Sequence, residues 1–176
     1  METLRILDLV VGTAVDGPGL RTSIYLAGCS HRCPGCHNPQ SWDPDGGREM
    51  SIDEILAVVD ENDFDVTFSG GDPLFQAAPL AALAARIKAD GRNIWCYTGY
   101  RYEEAIETPA FADLLSCVDV LVDGPYVDAL RDTGLRFRGS ANQRLVDLAR
   151  SAPGRVVLWD DRMPGFENGR PGGLRR

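Results

Sequence analysis

The sequence has no apolar run approaching the ~20 residues that a membrane-spanning helix needs. Its first residues, Met-Glu-Thr-Leu-Arg, contain neither a long apolar core nor a small-residue cleavage site. A soluble, cytoplasmic chain is the expectation, with no membrane partner. Positive charge is scarce too: 18 Lys and Arg face 26 Asp and Glu, a formal net charge of -8. Nucleic-acid affinity comes largely from clustered Lys and Arg that neutralise phosphates, and no basic face is evident, which argues against DNA or RNA as a partner. A disulfide framework is missing as well. Five cysteines is an odd number, and three of them crowd into eight positions, a pattern that suits metal ligation in a reducing compartment. Nothing marks a boundary between two domains, and 176 residues at 44% hydrophobic suffice for one substantial core. One domain over residues 1–160 is expected. The last stretch, Asp161 to Arg176, is crowded with Gly, Pro and Arg, lacks apolar periodicity, and reads as a mobile tail.

Against these absences stands Gly28-Cys29-Ser30-His31-Arg32-Cys33-Pro34-Gly35-Cys36-His37-Asn38-Pro39, which directly follows an apolar strand pattern. Cys29, Cys33 and Cys36 have the spacing Cys-x3-Cys-x2-Cys. Three thiolates on one short loop can hold three corners of a cubane 4Fe-4S cluster and leave the fourth iron open, whereas a closed cluster or a structural zinc site takes four ligands. Other chemistries fit parts of the segment. Cys33-Pro-Gly-Cys36-His37 matches c-type haem attachment, which requires export and leaves Cys29 idle. A zinc knuckle needs the adjacent Cys36 and His37 to bind one metal tetrahedrally. A redox pair at Cys33 and Cys36 would not need the additional upstream thiol. Cys96 and Cys117 read as small apolar core residues, and His31 as an exposed loop residue.

Short runs rich in Val, Ile and aromatics read as buried strands: Leu4 to Val11, Ser23 to Ala27, Asp65 to Phe68, Ile94 to Tyr97, Val118 to Val122 and Arg155 to Trp159. Helical patterns lie among them. Ser51-x-x-Glu54 is a capping box opening a helix to Glu61, with Ile52, Ile55, Leu56 and Val59 on one face. A second helix covers Ala78 to Ala89 and ends at Asp90-Gly91. Tyr102 to Leu115 is helical but divided by Pro109, and Ser140-x-x-Gln143 caps a further helix through Leu145 and Leu148 to Arg150. Strand and helix alternation implies a mainly parallel α/β sheet with helices outside. A closed eight-unit barrel takes ~250 residues, so the expected fold is an incomplete, open (β/α) barrel of about five or six units.

Ligands of parallel α/β folds bind at the carboxyl ends of strands. There the chain places Ser69-Gly70-Gly71-Asp72-Pro73, two glycines permitting close backbone approach beside a carboxylate, then Thr98-Gly99-Tyr100 and Asp123-Gly124-Pro125-Tyr126. As sequence alone, these are also ordinary turns and caps.

The cysteine spacing resembles the cluster loop of the radical S-adenosylmethionine enzymes, and Gly70-Gly71-Asp72 resembles their Gly-Gly-acid motif. Asp16-Gly17-Pro18-Gly19-Leu20-Arg21, Cys36-His37-Asn38 and Ser41-Trp42 narrow the resemblance to the activases that install glycyl radicals. Within that group Ser69 to Leu74, Trp95-x-Tyr-Thr98-Gly99-Tyr100, Val120 to Gly124 and Arg138-Gly139-Ser140-x-Asn142-Gln143 are similar to the activases of anaerobic ribonucleotide reductases. Activases of pyruvate formate-lyase share the early motifs but usually carry Gly-Gly-Glu. The resemblance runs from about Asp8 to Gln143. It implies a 4Fe-4S cluster on Cys29, Cys33 and Cys36, and S-adenosylmethionine cleaved by one electron to methionine and a 5'-deoxyadenosyl radical. It also implies the glycyl-radical subunit of an anaerobic ribonucleoside-triphosphate reductase as partner, and a low-potential electron donor. Gly35, Cys36 and His37 would lie near the adenine, Gly70, Gly71 and Asp72 would hold the methionine end, and Thr98 and Asp123 would stand at the same mouth.

Overall fold

The computed structural model of the chain describes residues 2–160; the expected tail over 161–176 lies outside the described residues. Seven strands form one sheet: β1 (Thr3–Thr13), β2 (Arg21–Leu26), β3 (Arg48–Ser51), β4 (Asp65–Gly70), β5 (Ile94–Tyr97), β6 (Val120–Asp123) and β7 (Arg144–Asp147). Their order is β3-β1-β2-β4-β5-β6-β7. The four central strands, β2, β4, β5 and β6, run parallel, while β3 and β1 on one side and β7 on the other pair antiparallel. The sheet is open, as an incomplete barrel requires, with β3 and β7 at its edges. Its parallel part comprises three crossovers, and the antiparallel strands supply the remainder.

The crossovers carry α1 (Ile52–Asn62), α2 (Ala77–Ala89) and the pair α3 (Tyr102–Glu107) and α4 (Ala112–Leu115), which Pro109 separates through a short 3-10 turn. Helix α1 starts at the expected capping box: the Glu54 N–H donates to Ser51 Oγ, and the Ser51 N–H donates to Glu54 Oε2.

Strand alternation divides the sheet into two faces. Ile24 and Leu26, Val66 and Phe68, Ile94 and Cys96, and Leu121 turn toward the helices and form the main core with Ile55, Val59, Leu80, Leu83, Ile87 and Leu114. The opposite face carries Ser23 and Tyr25, Thr67 and Ser69, and Trp95 and Tyr97. Its far end is apolar, where Trp95, Val120, Val122 and Leu145 pack with Phe137 and Trp159. A register shift in β1 between Ile6 and Asp8 keeps Leu4, Ile6 and Leu9 with the core while Asp8 and Val10 join the other face.

Two expectations fail. The segment from Ser140 to Arg150 is not a helix but a turn and strand β7. The Ser140-x-x-Gln143 motif is present as a turn lock, Gln143 Oε1 accepting the N–H groups of Gly139 and Ser140. The chain then pairs with β6, because Leu145 and Val146 bury on opposite sheet faces. Arg155 to Trp159 is not a strand: it touches β7 through a single bridge, Val146 to Leu158. Strand β3, opposite Thr3 to Ile6, was not expected; its Arg-Glu-Met-Ser has one buried residue, Met50, too weak an alternation to read.

Candidate functional site

Beyond Leu26 the chain leaves β2 into the cysteine loop, which returns at a 3-10 turn, Pro39–Trp42. The loop is tied at its base, since the Gly28 N–H donates to the Ser41 carbonyl at 2.8 Å. The thiols of Cys29, Cys33 and Cys36 are free and partly exposed, whereas Cys96 is buried in the core as expected. Gly35, between the last two thiols, has φ +77°, and a β-carbon there would lie 2.9 Å from the Asp128 carboxylate. Burial pushes the Cys29 thiol pKa up. Cys36 Sγ accepts the Asn38 N–H at 3.4 Å. Among the described residues no three His, Cys, Asp or Glu side chains gather closely enough to hold one metal ion. A cubane spreads its thiolates over separate irons, so three soft donors spaced along one loop fit it without such a gathering.

The end of β4 is joined to this loop by backbone. Gly71 N–H donates to Leu26 O and Asp72 N–H to Gly28 O, both at 2.8 Å, and Asn38 Nδ2 donates to Gly70 O. Gly70 has φ +100°, and a β-carbon there would lie 2.4 Å from Leu26 N. The glycines therefore admit β2 and the cysteine loop itself. Asp72 does not present a free carboxylate. It is 2% exposed, its Oδ1 accepts the Leu74 N–H, and its Oδ2 accepts the Thr98 hydroxyl and the Gly99 N–H.

Thr98 is buried and its hydroxyl donates to Asp72. Asp123 is likewise spoken for: it is 1% exposed, accepts the Tyr102 N–H at the start of α3, and pairs with Arg144 of β7. Arg144 also grips Glu103, holding that carboxyl below its usual range. Both residues sit at strand ends, as expected, but their polar atoms are consumed within the protein.

A cavity of about 680 Å³ opens on the sheet face away from the helices, lined by Leu7, Asp8, Val10, Asp16, Tyr25, Cys36, His37, Asn38, Gln40, Ser69 and Gly70. Its size suits a nucleoside-sized ligand. It joins the third thiol to the carboxyl ends of β2 and β4. Among the described residues two carboxylates and no Lys or Arg line it, a wall that favours a cation. Of the expected site residues, Cys36, His37 and Gly70 meet here.

Residues 15–146 match the family described as 4Fe-4S single cluster domain, which supplies the group that the loop's donors suit. The anaerobic ribonucleoside-triphosphate reductase-activating protein of Salmonella typhi is 40% identical over 139 residues, covering 73% of this chain and 89% of that protein. The chain belongs to this family of activating proteins. Its relatives of the same name include that of Escherichia coli K12, 37% identical over 73% of this chain and 89% of the relative. That of Enterobacteria phage T4 is 32% identical over 74% of this chain and 86% of the relative.

In this activating protein the fold recruits residues that sequence patterns left open or misplaced. His31 is not an exposed loop residue: its ring packs edge-on against Tyr100, 4.5 Å between centroids, and Nε2 stands 2.9 Å from Asp72 Oδ2. That carboxylate raises the His31 pKa against the opposing effect of burial. Tyr126 lies against His37, 5.1 Å between rings. Asp16 accepts the Tyr25 hydroxyl on the cavity wall. Arg21, fully buried, holds the loop behind Asp16: its Nε donates to Thr67 Oγ1, which in turn donates to Asp16 O. Burial lowers the Arg21 pKa to about 10, with Asp65 opposing, so the guanidinium stays charged at neutral pH. The Asp16-Gly-Pro-Gly-Leu-Arg21 motif was the available signal, although it did not reveal that its arginine is buried against Thr67 and Trp95.

Proposed function

We propose that this chain binds S-adenosylmethionine in the cavity beside Cys36, cleaves it reductively, and generates a glycyl radical on an anaerobic (class III) ribonucleoside-triphosphate reductase. The observation that carries the reading is the cavity itself, which sets the last thiol of the three-cysteine loop against the ends of β2 and β4 in an acidic, cation-favouring wall. Cys29, Cys33 and Cys36 would hold a 4Fe-4S cluster. When bound, that cluster supplies one low-potential electron to the sulfonium, breaking the bond from sulfur to C5' and leaving an adenosyl carbon able to take a hydrogen atom from glycine. Methionine and 5'-deoxyadenosine are the products.

The chain's own residues bind and orient. His37 and Asn38 frame the end of the cavity nearest the thiols, and Gly70, through its carbonyl bond to Asn38, fixes that wall. Asp8 and Asp16 offer negative charge to the sulfonium and ammonium groups. The open sheet leaves this face accessible to the reductase segment that carries the glycine. A low-potential electron donor completes the system, in the cytoplasm where thiols stay reduced.

Anaerobic reconstitution followed by reduction with S-adenosylmethionine present tests the reading. The expected result is brown protein with about four irons per chain and formation of 5'-deoxyadenosine, then a glycyl-radical signal by electron paramagnetic resonance when the reductase is added. Colourless zinc protein, or a cluster that leaves S-adenosylmethionine intact, would overturn it.

A further inference from the structure

The cysteine loop is attached at both ends by backbone and amide contacts, Gly28 to Ser41 and Asn38 to Gly70. Its middle is held by a side chain. His31, between Cys29 and Cys33, sends its ring into a slot formed by two strand ends. Asp72 lies 2.9 Å from Nε2, and Tyr100 packs edge-on at 78°. Gly99 provides the floor, where a β-carbon would stand 2.4 Å from ring Cδ2. Nε2 is buried and has no hydrogen-bond partner among the described residues, so its 2.9 Å approach to Asp72 Oδ2 is a charge contact and its whole polar engagement there. Asp72 is anchored independently of it, through Leu74 N–H at 2.9 Å and through the Thr98 hydroxyl and Gly99 N–H at 3.0 Å each. The cavity is lined without Asp72. Next to the ring, Arg32 adopts φ +46°, a left-handed conformation that a loop keeps when its surroundings impose it.

We propose that Asp72 and His31 form a latch holding the Cys29–Cys36 loop against the ends of β4 and β5, so that both are positioning residues for the cluster. This rests on the reading that the three thiols ligate the cluster, and it gives the acid of the Gly-Gly-Asp motif a role other than contact with S-adenosylmethionine. Swinging His31 out of its slot would carry the backbone of both flanking ligands with it.

The test measures iron release to excess chelator from anaerobically reconstituted protein, and amide hydrogen exchange over residues 29–36 in the metal-free chain. His31→Phe fills the slot without a donor, His31→Gln keeps a donor, and Asp72→Asn presents an N–H group where donors already point. The latch requires His31→Phe and Asp72→Asn each to release iron ~10–100-fold faster, the scale on which residues behind metal ligands act. The double variant should be no faster than the worse single, as for one coupled unit. His31→Gln should stay near the wild-type rate, and His31→Phe should lose exchange protection even without iron. Wild-type rate and protection in His31→Phe, or multiplying effects in the double variant, would overturn the latch. A wild-type chain that takes up no cluster instead refutes the ligand reading, and exchange in the metal-free chain still decides the latch. Should Asp72→Asn not fold, the Phe and Gln variants of His31 decide it alone.

Discussion

A β-carbon built on Gly71 would stand 2.4 Å from the Gly28 carbonyl oxygen and 2.8 Å from that of Ser41, both backbone atoms without a rotamer to move. Read as sequence, Gly70-Gly71-Asp72 suggests glycines kept bare for a ligand, so that a larger residue would weaken S-adenosylmethionine binding and spare the iron. The structure changes that expectation, because what approaches Gly71 is the base of the cysteine loop. Gly71→Val should therefore lower cluster content and ligand affinity together, with an overpacking cost of ~1–3 kcal/mol. Iron analysis and thermal unfolding check it. Full iron with weakened binding alone would return Gly71 to the role of a ligand-facing residue.

Among the elements, β7 shows why local patterns mislead. Ser-x-x-Gln followed by Leu145 and Leu148 carries a helix start and an apolar spacing, yet the segment adds to the sheet edge because Arg144 there reaches both Asp123 of β6 and Glu103 of α3. Asp123 is 1% exposed, and removing its cation leaves a buried carboxylate with the Tyr102 N–H as its one hydrogen-bond donor among the described residues. Arg144→Ala should therefore destabilise the fold by ~3 kcal/mol, the low end for a broken buried pair because the arginine is partly exposed. Urea unfolding measures this. A loss under ~1 kcal/mol, the range of exposed pairs such as Arg86 with Asp53, would show that solvent reaches Asp123.

For the whole molecule, the decisive property is that one sheet serves two purposes, a helix-covered core on one face and an accessible polar cavity on the other. The seven strands and two apolar clusters of the described residues pack on one another as one unit. A chain ending at Asp161 should accordingly keep its melting temperature, its cluster and uncoupled cleavage of S-adenosylmethionine. Arg162, Arg170, Arg175 and Arg176 sit on an otherwise acidic chain, and docking of the reductase through them would appear as a glycyl-radical yield that truncation lowers and salt lowers further in the full chain. Loss of the cluster on truncation would contradict the reading of residues 1–160 as a self-sufficient domain.

What sequence alone determined is what depends on neighbours along the chain: the Cys-x3-Cys-x2-Cys spacing, the Ser51 to Glu54 capping box with the apolar face of α1, and the short apolar runs that became β1, β2, β4, β5 and β6. Spacing, capping and apolar runs are local, so they are legible before folding. Tertiary structure decided the rest. Asp72, Thr98 and Asp123 look like free polar groups at strand ends until their partners, His31, Gly99, Arg144 and Tyr102, arrive from other elements to occupy them. Asp8, Tyr25 and Gln40 join the cavity only because β1 bulges, β2 alternates and the cysteine loop folds back. Which atoms of a polar side chain remain available to a ligand depends on distances between segments, and no one-dimensional pattern carries them.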